Sequence, residues 1–206
     1  MSEQLNKYYQ DNLSHHGASA QGVGWKNEEA QQIRFSQLIK VIYSSDRFSV
    51  NDAGCGVGDL STMLNKEFSS FTYTGYDMMA DMISQAKKKY PESTRCQFYQ
   101  VTHLREMNRS DYSMASGILN LKFDCTDMQW KEFILETLHL LNDKSQLGFA
   151  FNALTKYSDK EFMKPELYYA DPLWLFDYCK THFAKNIALL HDYSQYDFTI
   201  LVKKNF

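Results

Sequence analysis

Apolar positions along the chain switch repeatedly between two spacings. From Asn27 to Tyr43 they fall at Ile33, Phe35, Leu38, Ile39 and Ile42, close to helical spacing, and predict a helix packed on a sheet. Phe48 to Ala53 is a short apolar run that predicts a strand. Asp59 to Phe68 then predicts a helix, Phe71 to Tyr76 a strand, and Met79 to Tyr90 a helix that Pro91 terminates. Strands at Cys96 to Val101 and Tyr112 to Ser116, a helix at Asp127 to Leu141 and a strand at Gln146 to Phe151 continue the series. Such alternation specifies a parallel, doubly wound sheet.

The last part of the chain departs from this order. A helix at Pro172 to Phe183 leads to a strand at Ile187 to His191, a turn through Asp192 to Gln195, and a strand at Tyr196 to Val202. With no helix between them the two strands are antiparallel, because a parallel pair needs a crossover of about a dozen residues. The expected class is α/β: a doubly wound, mostly parallel seven-stranded sheet that ends in an antiparallel β-hairpin.

Between the first strand and its helix runs Asp52-Ala53-Gly54-Cys55-Gly56-Val57-Gly58. Glycines there let the backbone turn and let a ligand approach without meeting a Cβ, and the helix that follows offers unpaired N–H groups. Asp77 ends the second strand, where an acid accepts hydrogen bonds from both hydroxyls of a ribose; the competing reading is a cap for the helix near Met79. Nicotinamide cofactors, flavins and S-adenosylmethionine all use such a loop. Here the spacing is GxGxG followed by Asp59 and Leu60, not the dinucleotide GxGxxG. An acid at 59 opposes a pyrophosphate and tolerates a cofactor that carries an ammonium and a sulfonium.

On these residues the chain resembles the class I S-adenosylmethionine-dependent methyltransferases of the small-molecule type. Asp52 to Gly58 looks like their first motif, Asp77 like their ribose acid, and the terminal hairpin like their addition to the sheet. The resemblance spans residues 27 to 206 and departs at Asn51, where the family more often has an apolar residue. It implies a Rossmann-like core over 27–206 in a single domain. It also implies S-adenosylmethionine as cofactor, S-adenosylhomocysteine as product, and no metal. By position, Gly54, Cys55 and Gly56 would contact the amino-acid end of the cofactor with Asp52 beneath, and Asp77 would hold the ribose. Met78 and Met79 would lie on the adenine face, Val101 and Thr102 at its edge, and the carbonyls of Ser116 and Gly117 toward the ammonium.

Residues 1 to 26 precede that core. The stretch His15 to Trp25 is too polar and glycine-rich for a helix, yet Tyr8, Tyr9 and Trp25 suit a lid over the cofactor, with Trp25 against it and His16 toward the acceptor; the competing reading is a partly ordered tail. Acceptor contacts are expected from loops at the carboxyl ends of the strands, which carry Asn120, Lys122 and the stretch Asn152 to Asp171. That stretch is longer than a compact fold needs, and its Tyr157, Tyr168 and Tyr169 suit a saccharide or an aromatic ring. His191 is the candidate general base, oriented by Asp192 or Tyr168, and Lys122 and Arg34 are candidates for an anionic handle on the acceptor.

Composition narrows the partners. A net charge of -3 over 206 residues, with a pI near 6.1, provides no basic footprint for a nucleic acid. No window approaches the roughly 18 apolar residues of a membrane span. The four cysteines, 55, 96, 125 and 179, form no CxxC pair and no zinc spacing, which fits free thiols and a cytoplasmic location. The expected function is transfer of a methyl group from S-adenosylmethionine to a small molecule such as a saccharide or nucleotide-linked precursor. Two other readings stand beside it: a non-catalytic cofactor-binding subunit, and a nicotinamide-dependent oxidoreductase, which the loop spacing and the hairpin oppose.

Overall fold

The computed structural model describes residues 3–44, 46–91, 93 and 95–204. Positions 1–2 of the expected lid and 205–206 of the expected core lie outside them. Two helices come first, α1 (Glu3–His16) and α2 (Glu28–Leu38), the second running into a short 3-10 turn at Ile39–Val41. Five strands and three helices then alternate: β1 (Phe48–Ala53), α3 (Leu60–Glu67), β2 (Phe71–Asp77), α4 (Ala80–Lys89), β3 (Cys96–Gln100), β4 (Ser110–Ala115), α5 (Asp127–Asp143) and β5 (Ser145–Leu154). The chain closes with α6 (Pro172–His182), β6 (Asn186–Leu190) and β7 (Asp197–Lys203). Every strand read from the sequence is present, with ends shifted by a few residues.

The sheet order is β3-β2-β1-β4-β5-β7-β6. β1 to β5 are mutually parallel, while β7 pairs antiparallel with both β5 and β6. The chain winds outward from β1 to β3 and then returns to place β4 on the other side of β1. A crevice therefore opens between the carboxyl ends of β1 and β4, where ligands of such sheets sit.

Two apolar layers hold the sheet. On one face Phe149, Phe151, Ile134, Leu138 and Leu175 pack under α5 and α6; on the other Val50, Tyr112, Met114, Leu38, Leu64 and Ile83 pack under α2, α3 and α4. Each of these large side chains removed from water contributes about 1.5–3 kcal/mol before entropy is counted. Asn51, the unusual polar residue of central strand β1, is 2% exposed, and its Nδ2 donates to the Asn108 carbonyl at 2.6 Å. That bond satisfies the buried amide and explains why a polar residue is tolerated there. Helix ends follow local chemistry: Thr126 and Gln129 form a reciprocal capping box on α5, and Asp171 caps α6 ahead of Pro172.

The N-terminal region differs from expectation. Glu3–His16 is a helix, with His15 and His16 in its last turn, and only the following stretch through Gly24 turns as its glycines suggest. The helix has no fully buried residue, but Leu5, Tyr9 and Leu13 fall at i, i+4 and i+8, with Tyr8 at i+3, and form a narrow apolar stripe that marks it. No helix among the described residues is long and apolar enough to cross a membrane.

Candidate active site

A cavity of about 660 Å³ occupies the crevice. Asp52, Gly54, Cys55, Gly56 and Asp77 line it from the ends of β1 and β2, and Met78 and Met79 line it from the start of α4. Ser116, Gly117, Asn120 and Lys122 reach it from the loop after β4, and Trp25 from the segment before α2. Twelve of the residues expected at a site thus meet in one space.

The glycine loop is fixed by the neighbouring strand. The N–H groups of Gly54 and Cys55 both donate to the Tyr76 carbonyl, at 2.8 and 3.0 Å, and the Gly56 N–H donates to Asp77 Oδ2 at 2.9 Å. Asp77 Oδ1 accepts from the Met79 N–H at 2.8 Å. Asp77 thus pins the loop and the residue ahead of α4, but it does not cap that helix: Met79 holds the N-cap position and α4 has no side-chain cap. These amide bonds do not use up the four lone-pair sites of a carboxylate. Gly54 has φ +73, and a Cβ built there would run into Ile118 Cγ2. Gly117, φ +79, is pressed by Trp25, whose ring edge lies 2.8 Å from where a Cβ would stand.

Asp52 is 3% exposed and accepts from the Tyr73 hydroxyl at 2.7 Å through Oδ2. Its Oδ1 makes no hydrogen bond to a described residue. Burial, only partly offset by the Tyr73 bond and reinforced by the charges of Asp77 and Asp59, pushes its pKa up from 3.8 to about 7. Asp59 is less free than its position suggests: Lys89 Nζ and the Tyr90 hydroxyl meet its Oδ1 at 2.5 and 2.8 Å. That pairing weakens the case for a direct role opposite a cationic ligand.

A roof crosses the cavity. Leu5, Tyr8 and Tyr9 of α1 line it, Tyr9 and Leu13 pack against Val57, Met79 and Met82, and Tyr8 meets Phe123 edge-on at 6.0 Å. The Gln4 side chain donates to Asp124. Burial and the nearby Asp77 push the Tyr9 hydroxyl pKa upward, which keeps it protonated. On the far side, the loop after β4 joins the loop after β5 through Lys122 and Phe123 N–H groups that share the Glu166 carbonyl, both at 3.0 Å.

Seven expected site residues stay outside. His191 is exposed and follows β6, the edge strand, four strand spacings from β1 or roughly 19 Å. Its neighbours are Tyr157 and Phe198, each 6.1 Å away between ring centres. Tyr168 is 6% exposed within the core and its hydroxyl is pushed up to about 12 by burial, so it neither orients His191 nor meets the cavity. Tyr157 is 58% exposed, and the Tyr169 hydroxyl accepts from the Lys164 N–H at 2.9 Å. Val101 is buried in the core, Thr102 is tied to Glu106 at 2.6 Å, and His16 sits exposed at the end of α1. A carboxyl-end position in the sheet was thus too coarse a guide: β7 lies between β5 and β6 and carries the last loop away from the crevice.

A family model described as a methyltransferase domain matches residues 50–144. Rv1506c of Mycobacterium tuberculosis, assigned by its name to the methyltransferases, is 42% identical over 166 residues, 81% of this chain and 99% of that protein. Magnesium protoporphyrin IX methyltransferase from Synechocystis PCC 6803, solved with S-adenosylhomocysteine, superimposes with TM-score 0.70 at 14% identity, covering 98% of this chain and 99% of that one. The N-methyltransferase NodS of Bradyrhizobium japonicum WM9, also solved with S-adenosylhomocysteine, gives 0.67 at 11% identity with the same coverage. The chain belongs to the class I S-adenosylmethionine-dependent methyltransferases.

For a methyltransferase, several cavity residues escaped the sequence reading. Leu5 and Tyr8 were assigned only to a general lid, and Gln31 went unnoticed beside Arg34 on the inner face of α2. Gln31 is 3% exposed at a position three before Arg34 and four before Phe35, both buried. A glutamine on the core side of a helix is the signal that could have found it.

Proposed function

We propose that the protein transfers the methyl group of S-adenosylmethionine to a small molecule seated beneath α1, between α2 and the loops after β4 and β5. The observation that supports the donor side best is the pair of incompletely filled carboxylates, Asp52 and Asp77, on the two sides of a glycine loop that admits no Cβ at Gly54. Asp77 has acceptor capacity left for the ribose, Asp52 Oδ1 for an ammonium, and Met78 and Met79 an apolar surface for adenine. The residues present therefore fit the cofactor.

When bound, the cofactor supplies a methyl carbon made electrophilic by its sulfonium. The chain's own residues align and dry the space. Tyr8, Tyr9 and Leu5 shield it from above, Trp25 closes it against Gly117, and Asn152 holds the β4 tip by accepting from the Gly117 N–H at 2.9 Å. The tyrosines behind the saccharide expectation lie outside the cavity, so no side chain now supports a sugar over another small molecule.

Calorimetry with S-adenosylhomocysteine and with NAD tests the donor. Tight, stoichiometric binding of S-adenosylhomocysteine with no heat from NAD is expected, and the reverse result would sink the reading.

A further inference from the structure

The cavity wall on the α2 side carries hydrogen-bond donors with nothing to donate to. Asn120 is 7% exposed; its Oδ1 accepts from the Leu154 N–H at 3.0 Å, while its Nδ2 has no partner among the described residues. Arg34 Nη1 donates to the Ala30 carbonyl at 2.7 Å and Nη2 pairs with Asp197; its Nε and the second Asp197 oxygen, Oδ1, are both buried and unpartnered, so this pair backs the wall and offers it no free donor. The Gln31 amide, one turn away on the same helix face, also makes no hydrogen bond to a described residue. These groups share one neighbourhood, because Asp197 stands opposite Leu154 in the β5–β7 register. Leu121, Leu154 and Leu167 supply apolar walls around them.

The groups able to take a proton are, by contrast, mostly bonded within the protein, and the open sites of Asp52 and Asp77 are those assigned above to the cofactor. Asp52 is bonded to Tyr73, Asp59 to Lys89 and Tyr90, and Asp77 to two amides. Glu136 lies 3.3 Å from His103 and 3.8 Å from Arg105, and His103 caps the turn at Leu104–Glu106. Among the described cavity residues Glu166 is the carboxylate whose side chain makes no hydrogen bond or ion pair to a described residue, and it belongs to the loop after β5.

A site rich in donors and poor in free bases suits a nucleophile that arrives already deprotonated. Alcohols and ammonium groups need a base at neutral pH; a carboxylic acid, with an ordinary pKa near 4, does not. We infer that the acceptor is an apolar carboxylic acid, held as its carboxylate by Gln31 and Asn120 beside the Arg34–Asp197 pair, and that the product is its methyl ester. This rests on the methyl-transfer reading above. One carboxylate oxygen forms the new bond to the methyl carbon, the methyl–sulfur bond breaks with its electron pair remaining on sulfur, and no proton moves. Lys164 and Lys122 at the cavity rim add positive charge on the approach, the latter paired with Asp127 at 2.5 Å.

The test uses the full chain saturated with S-adenosylhomocysteine, titrated calorimetrically with octanoate, phenylacetate and indole-3-acetate and with the matching primary alcohols. At least one acid is expected to bind about tenfold or more tightly than its alcohol, the scale of a charge-assisted hydrogen bond. Gln31→Leu should erase that preference without changing S-adenosylhomocysteine affinity. Gln31→Glu, of nearly the same shape, should reverse it, and Glu166→Gln should leave it intact. Equal binding of alcohols, no binding of any acid, or an unchanged preference in both Gln31 variants would overturn the inference, as would loss of the preference in Glu166→Gln. With methyl-labelled S-adenosylmethionine and the preferred acid, alkali should release the label as methanol; alkali-stable label overturns the ester. Absence of any S-adenosylhomocysteine binding would instead remove the methyl-transfer reading itself.

Discussion

At the β1–β2 end of the cavity the key polar atoms are already spoken for, whereas at the α2 end they are not. Gly54, Cys55 and Gly56 donate to β2, Asp77 accepts from two amides and Asp52 from Tyr73. Across the cavity, the Gln31 side-chain amide and Asn120 Nδ2 have no acceptor among the described residues. The first end is rigid before any ligand arrives, and little reorganisation is required to fill it. The second is held in shape by apolar contacts and one buried ion pair, and is completed only by what binds there. A methyltransferase with one donor and a family-specific acceptor is served by that division.

Removing the ion pair should produce the largest effect. Arg34→Met leaves Asp197, which is 0% exposed, without its partner and is expected to cost about 3–5 kcal/mol of stability, read by urea denaturation. A loss below about 1 kcal/mol would show that the α2 end does not depend on the pair. Next comes the rigid end: Gly54→Ala forces a Cβ toward Ile118 at a left-handed backbone angle and should weaken S-adenosylhomocysteine binding by roughly 2–4 kcal/mol, measured by calorimetry. Asp77→Ala removes acceptors for the ribose as well as the pin on Gly56. Its expected cost in the same titration is about 1.5–3 kcal/mol, and unchanged affinity would take Asp77 out of the cofactor site.

A smaller effect is set by pH. The folded pKa of Asp52, near 7, lies above its unfolded value of 3.8, so the folded chain holds a proton that the unfolded chain has lost. That contribution is complete below the unfolded pKa and declines as pH rises toward 7, and the upward shifts of Asp77 and Asp197 act in the same direction. Thermal melts of the ligand-free protein should show Tm falling over that range, with a shallower slope in Asp52→Asn. An identical slope in the variant would assign the dependence elsewhere. The smallest effect is expected from His191→Asn, which sits outside the cavity: S-adenosylhomocysteine affinity and turnover should both stay within about twofold. A large loss of turnover would bring the β6–β7 loop back into the chemistry.

What could be read from the sequence follows the same division. The glycine loop and Asp77 lie within residues 52 to 79, where one strand–loop–helix unit sets the geometry and the spacing of glycines and acids is local. The α2 end draws on Gln31, Asn120, Leu154 and Leu167, brought together by the return of the chain to β4 and by pairing between two loops. No local pattern announces such a meeting. Helix α1 was legible but narrow: Leu5, Tyr8, Tyr9 and Leu13 recur at helical spacing and contact the rest of the protein, while the polar residues between them and the glycines that follow hide the period. The tyrosines of the loop after β5 misled because frequency in a loop says nothing about direction, and Tyr168 turned inward to the core.

The placement of β7 also bears on how the protein is made. It is the seventh strand in chain order, yet it is inserted between β5 and β6, with partners along both edges. While the ribosome is still adding residues beyond Leu190, β5 and β6 both present open backbone edges with no strand to join them. The sheet cannot knit together from one end during synthesis, and the nascent chain must wait for its last strand before the half that carries the β5 loop is secured. Changes that slow or truncate that strand should therefore lower yield in the cell more than their effect on the finished fold would suggest.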